Sequence, residues 1–110
     1  MPSTKMKGYR TERKIRILFE ENGWVVVRAG ASLGEADLIC LKNRKCLLLQ
    51  IKSTKKKMFY YYGYMEKKFQ GFPFYLVVDF GYGKIRISSP KQKLALKDGL
   101  DLKEFLARNL

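Results

Sequence analysis

Residues 36–53, "ADLICLKNRKCLLLQIKS", constrain the fold more than any other stretch. Two apolar runs, 36–41 and 45–53, flank the polar loop Lys42-Asn43-Arg44-Lys45. Runs of this length bounded by a short polar loop read as an antiparallel hairpin with Asn43 and Arg44 at its tip. That tip sets the register: Leu41 opposes Cys46, Ile39 opposes Leu48 and Asp37 opposes Gln50. Side chains alternate along a strand, so Asp37, Gln50 and Lys52 share one sheet face. An amide and an ammonium at the end of a core strand are costly to bury without partners, so this polar group needs a purpose.

Charge narrows the candidates. The 110 residues carry 23 Lys/Arg against 10 Asp/Glu, a formal net charge of +13. Such an excess raises affinity for polyanions, nucleic acid foremost. From Leu38 to Met65 there is no acidic residue, while Lys42, Arg44, Lys45, Lys52, Lys55, Lys56 and Lys57 lie within that span. The chain has no histidine. That excludes serine–histidine catalysis, histidine-ligated zinc and imidazole acid–base chemistry. No apolar run approaches the roughly 20 residues that span a bilayer, and the N-terminal segment lacks the apolar core of a signal peptide, so a cytoplasmic, intracellular protein is expected. Cys40 and Cys46 fall on opposite faces of neighbouring strands and are expected to be free thiols.

The length suits one domain over 1–110, with a mobile basic N-terminus at 1–7. Ile15, Leu18 and Phe19 follow helical spacing within 8–22, Glu12 extends their stripe, and Gly23 suits a C-terminal cap. Residues 24–28 form a strand, and 29–36 a glycine-bearing loop. After the lysine cluster, Tyr62, Met65 and Phe69 predict a second helix. Residues 73–80 and 84–89 form a strand pair around Gly81-Tyr82-Gly83. A final helix begins after Asp101, its N-cap, with Leu102, Phe105 and Leu106 inward. The expected architecture is α/β: a central mixed five-stranded sheet flanked by helices.

Glu12, Asp37, Gln50 and Lys52 are the polar residues set among apolar ones. Two carboxylates, an amide oxygen and the main-chain carbonyl near Ile51 form an oxygen donor set for Mg²⁺, with Mn²⁺ as a substitute. Such a cation polarises a phosphodiester and activates water, while Lys52 steadies developing charge. Phosphodiester hydrolysis is the chemistry this set supports.

Asp37 with "QIK" (50–52) resembles, apart from the glutamine, the D…ExK pattern of nucleases with the restriction-endonuclease-like fold. Further blocks resemble the archaeal-type Holliday junction resolvases: "KGYRTERKI" (7–15), "VVVRAGASLGEADLI" (25–39), "LLLQIKSTKKK" (47–57), and "GFPFYLVVDF" with "GLDLKEFL". The resemblance spans nearly the whole chain. It implies a restriction-endonuclease-like fold and a catalytic and metal centre of Glu12, Asp37, position 50 and Lys52, with Ser32 as a further active-site residue. Lys7, Arg10, Arg13 and Arg28 correspond to basic positions near the DNA backbone, and Lys55, Lys56 and Lys57 suit phosphate contacts. It also implies a homodimer that cuts two opposed strands of a four-way junction with Mg²⁺. A recruiting partner such as a sliding clamp is left open.

Two departures stand out. The segment after the lysine cluster is shorter than the family's, which bears on a dimer contact around the second helix. Gln50 stands where the family has glutamate, removing one negative charge beside Lys52. A natural variant that still cuts, a substitution made to trap substrate, and a junction-binding protein with impaired catalysis all accommodate it. A related nickase or repair nuclease is the alternative within enzymes.

Overall fold

The architecture is that of a computed structural model, which describes residues 4–30 and 35–108, with side chains from residue 8 onward. In chain order the elements are α1 (Thr4–Glu21), β1 (Val25–Arg28), β2 (Leu38–Lys42), β3 (Lys45–Ser53), β4 (Met58–Tyr60), β5 (Lys68–Phe69), β6 (Phe72–Asp79), β7 (Ile85–Ser88), β8 (Lys93–Ala95), β9 (Leu100–Asp101) and α2 (Leu102–Arg108). The helix α1 begins at Thr4, so residues 4–7 of the expected N-terminal arm are helical, and its residues 1–3 lie outside the described residues. Lys and Met are good helix formers, and no proline follows Pro2 in this stretch to stop the helix.

Both ends expected from local chemistry are present. Gly23 at φ 87° closes α1: its amide donates to Glu20 and the Trp24 amide donates to Phe19, while the Phe19 and Trp24 rings meet edge to face at 5.6 Å. This double bond with its apolar contact is a Schellman cap, and it turns the chain directly into β1. Asp101 Oδ2 accepts from the Lys103 and Glu104 amides, capping α2.

The main sheet runs β1-β2-β3-β6-β7-β9, with β5 paired to β6. The five expected strands run consecutively from its β1 edge, and β5 and β9 add two short strands. β3 and β6 are parallel and the other neighbours antiparallel, so the sheet is mixed. The β2–β3 register pairs Leu41 with Cys46 and Ile39 with Leu48, as expected. Asn43 and Arg44 both take positive φ, 47° and 66°, which is the geometry of a two-residue turn matched to strand twist.

The helices α1 and α2 cover one face. There Ile15, Phe19, Leu38, Cys40, Leu49, Val77, Leu102 and Leu106 are packed with almost no exposure. The opposite face carries Leu76, Val78 and Leu94 in one cluster and Leu48 and Phe74 in another. Cys40 belongs to the helix-covered side and Cys46 packs on the other, and both are free.

The expected second helix is absent. Met58–Tyr60 instead pairs with Lys93–Ala95 as a separate two-stranded sheet. A run of four aromatics suits a pleated surface better than a helix. The supposed apolar stripe does not exist as a buried face, since Tyr62 is 76% and Met65 40% exposed. Gly63 lies against the Tyr61 ring so closely that a Cβ there would clash with its hydroxyl, so a larger residue at this bend would have to displace that buried ring. A dimer contact built on a helix here therefore has no helix to use.

Candidate active site

The hairpin delivers the centre of the site. Beyond the last β2–β3 pair, Leu38 with Leu49, the Asp37 amide still donates to the Leu49 carbonyl at 2.7 Å. This holds the Asp37 side chain against the end of β3. Its Oδ2 accepts from the Ile51 amide at 2.7 Å and from Gln50 Nε2 at 2.9 Å. Backbone N–H and C=O of one strand residue emerge on the same edge, so the Ile51 carbonyl also faces the gap that β2 no longer fills.

Gln50 is 5% exposed, and its Oε1 is buried without a hydrogen-bond partner. A buried acceptor left unpaired costs on the order of 1–3 kcal/mol, so the geometry calls for a ligand there. Burial pushes the Asp37 carboxyl above its ordinary value; the Ile51 N–H opposes this, the Glu12 charge adds to it, Lys52 opposes it and Glu35 adds to it. Lys52, on the same face by alternation, is exposed.

Glu12 is committed elsewhere. Its Oε1 accepts from Arg28 Nε at 2.6 Å, and the Arg28 guanidinium lies over the Tyr9 ring at 5.4 Å. Arg28, expected at the DNA backbone, thus neutralises the helix carboxylate. The structure brings Asp37, Gln50 and Ile51 into direct contact and places Glu12 and Lys52 within electrostatic reach of Asp37. Ser32 and the Lys7 side chain lie outside the described residues.

Among the basic residues, Arg10 and Arg13 border a recess of about 490 Å³ with Lys14 and Ile17. Lys55, Lys56 and Lys57 are exposed after β3. Lys42 is withdrawn from the expected basic face: its Nζ donates to the Asn22 carbonyl at 2.6 Å and sits over the Trp24 ring. Two acids went unnoticed in the sequence. Asp79, 5% exposed, accepts from Lys14 Nζ at 2.9 Å and from the Gly81 amide at 2.8 Å. Its signal was a lone acid closing the apolar run "LVVD". Glu35 lines a cavity with Lys52, and its signal was its place two residues before Asp37.

Among the described residues, no three His, Cys, Asp or Glu side chains form a ready metal cluster. The orphaned Gln50 oxygen and the half-buried Asp37 carboxylate nevertheless fit a hard cation, because both are oxygen donors.

The family model described as "Archaeal holliday junction resolvase (hjc)" matches residues 3–73. The chain belongs to the archaeal Holliday junction resolvases. Its function is endonucleolytic resolution of Holliday junctions, and membership does not favour the nickase or the silent binding module. In fold, this resolvase is similar to Archaeoglobus fulgidus Hjc, a Holliday junction resolvase from an archaeal hyperthermophile. The TM-score is 0.68 at 17% identity, covering 92% of this chain and 96% of that one. That likeness identifies the restriction-endonuclease-like fold. No curated protein matches the chain in sequence. No helix among the described residues is long and apolar enough to cross a membrane.

Proposed function

We propose that this resolvase cleaves four-way DNA junctions by metal-dependent phosphodiester hydrolysis, as a homodimer making paired incisions inside the cell. The observation that carries the metal reading is the buried, unpaired Oε1 of Gln50 beside the Asp37 carboxylate at the open end of β3. Asp37, Gln50 and the Ile51 carbonyl would hold Mg²⁺ or Mn²⁺, with Glu12 available on exchange of Arg28. When bound, the cation supplies electrophilic activation of the phosphodiester and a water of lowered pKa.

The chain's own residues do the rest. Asp37 and Ile51 form a rigid pair, because the carboxylate is held by a strand amide as well as by the Gln50 side chain. Lys52, one residue further, offers an ammonium to charge developing on the phosphoryl oxygens. Lys55, Lys56 and Lys57 bind neighbouring phosphates, and Arg10 and Arg13 give α1 a second contact with the backbone.

A junction has approximate two-fold symmetry, so paired incisions need two sites presented by a two-fold dimer. The exposed apolar residues Val25, Val27 and Leu41 support such an assembly. They share the sheet face turned away from α1, and Val25 lies directly opposite Leu41.

The test uses a synthetic four-way junction, a nicked duplex, a flapped duplex and a linear duplex, each with Mg²⁺, Mn²⁺ or chelator. Symmetrical paired cuts confined to the junction and abolished by chelator are expected. Cutting that persists in chelator overturns the metal dependence, and preferential cleavage of another structure overturns the selectivity.

A further inference from the structure

We propose that Tyr82 reads the branch point of the junction: its ring stacks on a nucleobase exposed where the arms part, presented by a turn that Asp79 braces. The inference deepens the junction-resolving reading above, on which it rests, and is independent of the metal.

Folding gives no reason for a tyrosine at this position. Tyr82 is fully exposed, and among the described residues no other ring or cation packs against it. Its backbone sits at φ 53°, between Gly81 at 88° and Gly83 at 77°. A bulky side chain in the left-handed region is an outlier, whereas glycine or asparagine adopts it readily. The position therefore carries backbone strain and bare aromatic surface, and the core recovers neither. Strain of this kind collects where a site uses it.

The turn is built to hold the ring in place. One oxygen of the Asp79 carboxylate, 5% exposed, accepts from the Gly81 amide at 2.8 Å, and the other from Lys14 Nζ at 2.9 Å. The Phe80 amide donates to the Lys84 carbonyl at 2.8 Å and the Lys84 amide to the Gly81 carbonyl at 3.0 Å, closing the turn. A buried carboxylate thus fastens the turn to α1.

Its place in the sheet decides what the ring meets. β3 and β6 run parallel, with Lys52 beside Val78 and Ser53 beside Asp79, and the Thr54 amide donates to the Asp79 carbonyl at 3.0 Å. Both strands therefore end together. One leads into Lys55, Lys56 and Lys57, the other into Tyr82 and Lys84, all of them exposed. On α1, Lys14 joins this end of the sheet to the recess it shares with Arg10 and Arg13. Phe80, the last residue before the turn, lies roughly 7 Å beyond Val78 along the strand, at about 3.3 Å per residue. That is about two nucleotides of helical rise from a phosphate facing Lys52. An aromatic ring flanked by cations is set against a phosphate backbone, where base faces are its apolar partners. Bases inside a duplex are covered by their neighbours, whereas a four-way junction bares them where its arms part. Stacking tolerates any base, so it reads structure rather than sequence.

The experiment places 5-iodouracil at the branch point of one synthetic four-way junction and in mid-arm of another, with chelator to prevent cutting. Irradiation is expected to crosslink the branch-point base to Tyr82, located by mass spectrometry of the digested complex, and to leave the mid-arm base uncoupled to it. Tyr82→Asn should weaken junction binding about tenfold while duplex binding stays within about twofold, and Tyr82→Trp should keep both crosslink and affinity. Thermal melts should show Tyr82→Asn at least as stable as wild type, because asparagine suits that φ, which separates a binding loss from unfolding. Phe72→Ala, at the opposite end of β6 and 48% exposed, controls for the loss of any exposed ring. A branch-point crosslink that bypasses Tyr82, unchanged junction affinity in Tyr82→Asn, or an equal loss in Phe72→Ala overturns the assignment while leaving the junction reading intact. Wild type that binds duplex as tightly as junction overturns both.

Discussion

Gln50 Nε2 donates to Asp37 Oδ2 at 2.9 Å, so the residue that replaces the family's glutamate stabilises the very carboxylate it would otherwise repel. Gln50→Glu exchanges that bond for two adjacent carboxylates. The metal-free variant is expected to lose about 1–3 kcal/mol of stability, the cost of breaking a buried polar pair. Millimolar Mg²⁺ should restore the loss, and cleavage should accelerate. Chemical denaturation with and without Mg²⁺, alongside cleavage rates over a metal titration, checks this; equal rates at every Mg²⁺ concentration would refute it.

Asp37→Asn keeps an oxygen for the Ile51 amide but removes the charge. Junction cutting should fall below detection while junction affinity stays within about threefold of wild type, since phosphate contacts dominate binding. Gel-shift and cleavage assays on one junction separate the two effects, and wild-type turnover would remove Asp37 from the metal site.

Each alanine at Lys55, Lys56 or Lys57 should lower the slope of log affinity against log salt by about one, with similar losses on junction and duplex. A loss confined to junctions would make that lysine a reader of structure rather than a phosphate contact.

Burial, and secondarily the neighbouring Cys46, pushes the Cys40 thiol up to about 12. The unfolded thiol ionises near 9, so the native protein keeps a proton that the unfolded chain releases. Stability from this group is present in full below that value and is lost as pH rises from about 9 towards 12, with a slope of up to about 1.4 kcal/mol per pH unit. Denaturant midpoints from pH 8 to 11 should fall less steeply in Cys40→Ala than in wild type, and identical slopes would contradict the assignment.

A charge on the exposed apolar strip should break the proposed dimer. Leu41→Asp is expected to sediment as a monomer and to bind junctions without paired cutting. Because Leu41 is 41% exposed in the single chain, its replacement leaves the monomer folded. A dimeric Leu41→Asp variant would move the interface elsewhere.

The parts of the fold legible in the sequence were those set by local chemistry. The β2–β3 register followed from alternation about a symmetrical loop, and the caps at Gly23 and Asp101 from residue types that satisfy helix ends. The false helix arose because Tyr62, Met65 and Phe69 recur at helical spacing, while the partner that draws 58–60 into a strand, 93–95, lies some thirty residues on and is too short to announce itself. In the site, Asp37 and Gln50 were readable as neighbours because the hairpin joins them. The Glu12–Arg28 and Lys14–Asp79 pairs were not, since charges on separate elements carry no periodicity that links them.

The turn at Asn43 and Arg44 works as a ruler for the chemistry. Shifting the hairpin by one residue would send Gln50 and Lys52 to the opposite face, and shifting it by two would carry Asp37 about 7 Å along β3, out of reach of the Ile51 amide. The placement of Asp37 against β3 is therefore set by the hairpin, and an arginine held at φ 66° is a strained way to close it. Arg44→Gly would relieve that strain without touching any atom of the centre.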